Sequence, residues 1–172
     1  MNIANRLTFS RILIIPIFLF AFFVQFKYHL LVAAIIFFLS GLTDLFDGYI
    51  ARTYNQVSEL GKLLDPLADK LTMITVFVAL AINNLIPTWV LVIVLAREGI
   101  ILLGAMLVYS NKADIINPSK FGKYATFSLY VTAFAYIIKW KMFQYFSFLA
   151  IPLTLISGID YCIKAYNNLL NG

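Results

Sequence analysis

Six stretches of this sequence, residues 12–26, 30–43, 66–82, 87–109, 121–138 and 143–163, are dominated by apolar side chains and separated by short polar breaks. A helix that crosses a bilayer needs about 20 such residues, so six crossings use roughly 120. A chain of 172 residues then has little left for a soluble domain, a linker or a low-complexity tail, and a single bundle over residues 1–172 is expected. Composition agrees. The chain is 62% hydrophobic and 12% charged, with a mean hydropathy of +0.90, whereas soluble domains are about half apolar and a quarter charged. A transmembrane barrel would show segments of about ten residues with alternating polarity, and these runs are longer and apolar on every side. The expected class is an all-α integral membrane protein with six transmembrane helices. The first run continues into FAFFVQFKYH, which offers no small-residue cleavage site, so it is expected to be retained.

Orientation follows from the lysines and arginines of the short loops. With the N-terminus inside, Arg6, Arg11, Arg52, Lys62, Lys112, Lys120, Lys123 and Lys164 fall on the cytoplasmic face, and Lys27, Lys139 and Lys141 on the other. Both termini are therefore expected in the cytoplasm, with the chain in the cell membrane. The net charge of +5 reads as attraction to anionic headgroups and phosphates. Nucleic acid is not an expected partner, because no basic helix or aromatic platform stands clear of the membrane. Cys162 is the single cysteine, which excludes an intramolecular disulfide, and is read as a packing residue. Trp89, Tyr109 and Trp140 lie near run ends, as an interfacial aromatic belt does.

Acidic residues interrupt this pattern in one place. The run over residues 30–43 is 14 residues long, about 21 Å at 1.5 Å per residue, short of a hydrocarbon core of about 30 Å. The helix is expected to continue through DLFDGYIA, which puts Asp44 and Asp47 in its last turns. The next span mirrors this, with Asp65 and Asp69 in its opening turns. Residues three or four apart share a helix face, so each pair presents both acids together. A charged aspartate in a membrane-spanning helix costs about 2.5–3.5 kcal/mol at its centre, so four need neutralising. Arg52, Lys62 and Lys70 can contribute. Four convergent carboxylates without histidine or cysteine suit two hard divalent ions, Mg²⁺ or Mn²⁺, and His29 is expected on the opposite side. Gly48, Ala51 and Gly61 keep the surroundings low enough for a ligand to approach the backbone. Pro66 fits the first turn of a helix, and Arg52 offers a forked donor for phosphate oxygens. Together these describe a site for a lipid-linked phosphate or diphosphate at the membrane edge.

Written out, the stretch is Asp44-x2-Asp47-Gly48-x2-Ala51-Arg52-x8-Gly61-x3-Asp65-x3-Asp69, eight identities over 26 positions. It resembles, without a gap, the signature of the CDP-alcohol phosphotransferase (CDP-alcohol phosphatidyltransferase) family. NRLTFSR at residues 5–11, AREG and PSKFGK resemble further segments of that family, the first an interfacial N-terminal segment. The resemblance implies six transmembrane helices, a homodimer, and attack by an alcohol on the β-phosphate of CDP-diacylglycerol with loss of CMP. It implies Asp44, Asp47 and Asp65 as metal ligands and Asp69 as the general base, also near a metal. It further implies Gly48, Ala51, Arg52 and Gly61 in the nucleotide and diphosphate part, with Asn5 and Thr8 close to it.

Which alcohol is accepted is the finer question. Arg97 lies deep in the fourth run and pairs internally with Glu98 or holds an acceptor phosphate. Lys120 and Lys123 complete that pocket or act as membrane anchors. AREG resembles phosphatidylglycerophosphate synthases, whose acceptor is glycerol 3-phosphate. Those relatives carry a further arginine where this chain has Met106 and a lysine where it has Ala125. GLTDLFDGYIAR and GKYAT resemble cardiolipin synthases, whose acceptor, phosphatidylglycerol, needs less basic charge. Glycerol 3-phosphate is the expectation and phosphatidylglycerol the alternative. A cation or proton carrier belongs to a different class and needs acids near mid-membrane with access from both sides, whereas these cluster toward one face. A bundle whose acids merely pair with lysines is the third possibility. Asp160 is expected at an interface, balanced by Lys164.

Overall fold

The structure is a computed structural model that describes the backbone of residues 3–53, 59–110 and 119–170 and the side chains of 13–43, 68–104, 106, 119–142 and 144–166. The described residues form helices and no strand: α1 (Ile3–Phe23), α2 (His29–Thr53), α3 (Glu59–Ile82), α4 (Thr88–Ser110), α5 (Lys120–Ile137), the single turn α6 (Lys141–Gln144) and α7 (Ser147–Leu170). Each of the six apolar runs accordingly has one long helix.

Three connections show why the helices stop where they do. After α1, His29 Nδ1 lies 3.1 Å from the Phe22 carbonyl, which ties the start of α2 to the end of α1. After α3, the Asn83 amide donates to the Ala79 carbonyl at 3.1 Å and Asn84 takes φ 54°, a left-handed conformation that asparagine adopts readily. After α5, Lys139 takes φ 56° and the Trp140 amide reaches back to the Ala135 carbonyl at 2.9 Å. At the other end of α5, Ser119 caps the first turn by accepting from the Gly122 amide at 3.1 Å.

Helix α1 packs on α2 and α3, α7 packs on α4 and α5, and α5 also reaches α2 and α3. The core joins bulky side chains such as Phe18, Phe37, Phe77 and Leu129 with buried alanines on α1, α2, α3, α5 and α7, among them Ala21, Ala34, Ala79, Ala133 and Ala150. Small residues let helix backbones approach closely, which matters where lipid removes the hydrophobic drive for association. Several buried hydroxyls are satisfied within their own helices, Thr72 on the Ala68 carbonyl at 3.0 Å and Ser128 on that of Ala125 at 2.9 Å. Outward, Phe20, Leu31, Phe38, Phe127 and Phe148 are exposed. An apolar outside around a core containing charged residues inverts the soluble pattern.

Several expectations hold. Helix α2 does run through Asp44 and Asp47 to Thr53, and Trp89 and Trp140 are exposed near helix ends. The side chain of Tyr109 lies outside the described set. Of the six expected crossings, one among the described residues, Ser147–Tyr166, is long and apolar enough to cross a membrane by length and composition, while Leu13–Phe23 and His29–Thr43 are shorter apolar segments.

Four details differ. The segment over residues 5–11 is continuous with α1, which starts at Ile3, rather than a separate interfacial piece. Helix α3 starts at Glu59, so Asp65 lies in its second turn and Pro66 beyond its first, because the helix extends through residues 59–62 ahead of the apolar run. The sixth run is broken, since the turn α6 precedes α7 and the Ser147 hydroxyl donates to the Gln144 carbonyl at 2.7 Å. Cys162 is exposed on α7 rather than packed inside.

Candidate active site

Asp69 is the one signature aspartate whose side chain is described, and it is held at both oxygens. The Tyr130 hydroxyl of α5 donates to Oδ1 at 2.9 Å, and the Lys70 ammonium stands 3.5 Å from Oδ2. Its side chain remains 18% exposed, which leaves the carboxylate reachable. A carboxylate oxygen has two acceptor sites, so an oxygen held by one donor can still serve a cation or take a proton.

A line of charges runs inward from Asp69. Lys70 Nζ lies 3.0 Å from Oε2 of Glu98 on α4, and Glu98 Oε1 receives Nη1 of Arg97. All three are buried, Glu98 completely. Two acids and two cations balance in this row, which is how charge survives away from water. The other amino group of Arg97 reaches the Gly122 carbonyl at 3.4 Å and the Thr126 hydroxyl at 3.2 Å on α5, and the Ser157 hydroxyl at 3.3 Å on α7. One guanidinium thus ties α4 to α5 and α7. Its Nε is buried without a hydrogen-bond partner among the described residues.

The structure therefore gives Arg97 the internal pairing with Glu98, and also sets it against the first turns of α5, which carry Lys120 and Lys123. Both lysines are exposed there. Asp160 pairs with Lys164 at 3.1 Å, as expected, and is hydrogen-bonded to Ser119. Met106 and Ala125, both uncharged, are exposed and fully buried respectively.

The remaining predicted residues are located by backbone alone. Asn5 and Thr8 lie on α1, Asp44, Asp47, Gly48, Ala51 and Arg52 in the last turns of α2, and Gly61 and Asp65 early in α3. Their side chains lie outside the described residues, and among the described residues no three acids, histidines or cysteines gather. The chemistry of the donor set still fits a hard cation: Asp69 offers carboxylate oxygen, while His29, the sole histidine, is engaged at the α1–α2 turn. Sequence reasoning missed Tyr130, Thr126 and Ser157 as parts of this region. No spacing marks them, since each arrives from a distant helix.

Comparison with known proteins bears on this arrangement. Residues 1–157 match the family model described as CDP-alcohol phosphatidyltransferase. The chain is 30% identical to the CDP-diacylglycerol–glycerol-3-phosphate 3-phosphatidyltransferase of Bacillus subtilis (strain 168), over 98% of this chain and 97% of that one. It is 32% identical to a probable phosphatidylglycerophosphate synthase of Mycobacterium tuberculosis (strain ATCC 25618 / H37Rv), over 98% and 83%. A cardiolipin synthase (CMP-forming) of Streptomyces coelicolor is 37% identical over 56% of this chain and 45% of its own. With a match that takes in the aspartate-bearing helices and the charged row beside them, the chain belongs to the CDP-alcohol phosphatidyltransferase family, a family of membrane enzymes.

Proposed function

We propose that this enzyme transfers the phosphatidyl group of CDP-diacylglycerol to glycerol 3-phosphate, releasing CMP and forming phosphatidylglycerophosphate. The observation that carries the choice is that the relatives matching over 98% of the chain are named for glycerol 3-phosphate or phosphatidylglycerophosphate; further glycerol-3-phosphate enzymes match over 58% and the cardiolipin synthase over 56%.

In this reading the acceptor hydroxyl attacks the β-phosphorus, the bond to the α-phosphate oxygen breaks, and CMP leaves with that oxygen. Asp69 takes the hydroxyl proton, a role worth about 10²–10⁴-fold. Asp44, Asp47, Asp65 and Asp69 would hold two divalent ions, Mg²⁺ or Mn²⁺, which when bound neutralise charge on the diphosphate and the leaving nucleotide. Gly48, Ala51, Arg52 and Gly61 receive the nucleotide diphosphate, with Asn5 and Thr8 beside them. Arg97, Lys120 and Lys123 attract the acceptor phosphate. All six long helices cross the membrane, both termini and the site face the cytoplasm, and the protein is a homodimer. An interfacial site lets acyl chains stay in lipid while CMP departs into water.

The alternative acceptor, phosphatidylglycerol, is favoured by one feature: Met106 and Ala125 bring no charge, and the Arg97 guanidinium is already paired with Glu98. Purified protein supplied with CDP-diacylglycerol, Mg²⁺ and each acceptor separates the two. CMP release with glycerol 3-phosphate is the expected result, and release with phosphatidylglycerol alone would reverse the assignment.

A further inference from the structure

The two aspartate-bearing helices are joined through a residue of a third. The Tyr130 ring of α5 stacks on Phe37 of α2, with centroids 5.1 Å and planes 13° apart, while its hydroxyl donates to Asp69 of α3 at 2.9 Å. Gly41, one turn on from Phe37, lies against the same ring: a Cβ there would come within 3.2 Å of Tyr130 Cε1. Phe37, Gly41, Asp44 and Gly48 follow at steps of four, three and four, so they share one face of α2, as Asp65 and Asp69 share one of α3. The face of α2 that meets Tyr130 is thus the face on which Asp44 lies.

We propose that Tyr130 is a positioning residue for the reaction centre, fixing both the side-chain setting of Asp69 and the separation between the acidic ends of α2 and α3. The proposal rests on the reading of Asp69 as base and of the four aspartates as one set. Its physical content is rigidity. Stacking holds the ring against α2, and the ring in turn holds the hydroxyl where the aspartate of α3 must meet it. Lys70, itself anchored by Glu98, restrains the second oxygen. A reacting group displaced by about 1 Å loses on the order of 100-fold in rate.

The test uses the purified full chain in detergent micelles. Tyr130→Phe keeps the stack and removes the hydroxyl; Tyr130→Leu removes both; Gly41→Ala presses the ring from the α2 side. Tyr130→Phe is expected to lower kcat by about 10- to 100-fold, with KM for CDP-diacylglycerol held within about twofold and thermal unfolding nearly unchanged. Titration of Mn²⁺ alone, followed by its paramagnetic resonance signal, is expected to show weaker binding in Tyr130→Leu than in Tyr130→Phe. Gly41→Ala is expected to lower kcat in the wild type and to do little more in Tyr130→Phe. Wild-type kcat in Tyr130→Phe, or Mn²⁺ binding untouched in Tyr130→Leu, overturns the proposal. Asp69→Asn separates the two layers: if it inactivates while Tyr130→Phe does not, the tyrosine is dispensable and the base assignment stands. Full turnover in Asp69→Asn removes the base assignment itself.

Discussion

Lys70 and Glu98 meet 3.0 Å apart between α3 and α4, with the glutamate wholly buried and the lysine nearly so. A buried pair of this kind contributes little net stability relative to an apolar isostere, but breaking it leaves a charge without compensation, at about 3–5 kcal/mol. Glu98→Gln is therefore expected to lower the unfolding temperature in micelles sharply, since it strands two cations. Lys70→Met combined with Glu98→Gln is expected to be less destabilised than the sum of the single variants. A double-mutant cycle on thermal unfolding measures the coupling, and simple additivity would mean that the two side chains act independently.

Arg97 ties α4 to both α5 and α7, and its planar fork makes contacts that an ammonium cannot reproduce. Arg97→Lys is expected to raise KM for the acceptor about tenfold with KM for CDP-diacylglycerol nearly unchanged. Initial rates of CMP release, with each substrate varied in turn, check this split.

Two glycines of α4 give a matched comparison. A Cβ at Gly104 would fall 2.5 Å from Tyr161 Cε1, whereas at Gly99 nothing stands within 4 Å. Gly104→Ala should cost about 1–3 kcal/mol, because the tyrosine ring must move in a packed interface. Gly99→Ala should be neutral or add up to about 1 kcal/mol through helix propensity. Thermal unfolding of both variants side by side distinguishes them.

Divalent ions are the remaining lever. Removing them with EDTA is expected to abolish CMP release, and adding back Mg²⁺ or Mn²⁺ to restore it, while Ca²⁺, with longer bonds and looser geometry, restores less. Activity that survives exhaustive chelation would deny the aspartates their assigned partners.

Helix count and the extension of α2 through its aspartates were legible because both follow from length: a 14-residue apolar run cannot span a bilayer alone. The balance of Asp160 by Lys164 was legible because the two lie four residues apart on one helix. Helix starts were less so. Glu59–Lys62 sets two charged residues around Leu60 and Gly61 ahead of the apolar run, so hydropathy gives no reason to begin α3 there, and Pro66 lies beyond the first turn expected for it. Cys162 misled through type alone, since cysteine is usually buried while this one lies on the outward side of α7. Tyr130 was invisible: one of ten tyrosines, 61 residues from Asp69, it joins the site only through tertiary packing.

The short turns after α1, α3 and α5 join the long helices into three successive hairpins, α1–α2, α3–α4 and α5–α7. Asp44 and Asp47 belong to the first, Asp65, Asp69, Lys70, Arg97 and Glu98 to the second, and Tyr130, Thr126 and Ser157 to the third. If all six long helices cross the membrane, as proposed, each hairpin can enter the bilayer in its turn during synthesis, and the contact of Tyr130 with Asp69 forms only when the last has docked. A nascent chain halted after α4 would carry every signature aspartate and still lack the tyrosine that holds one of them, so on the proposed role of Tyr130 competence waits for the third hairpin.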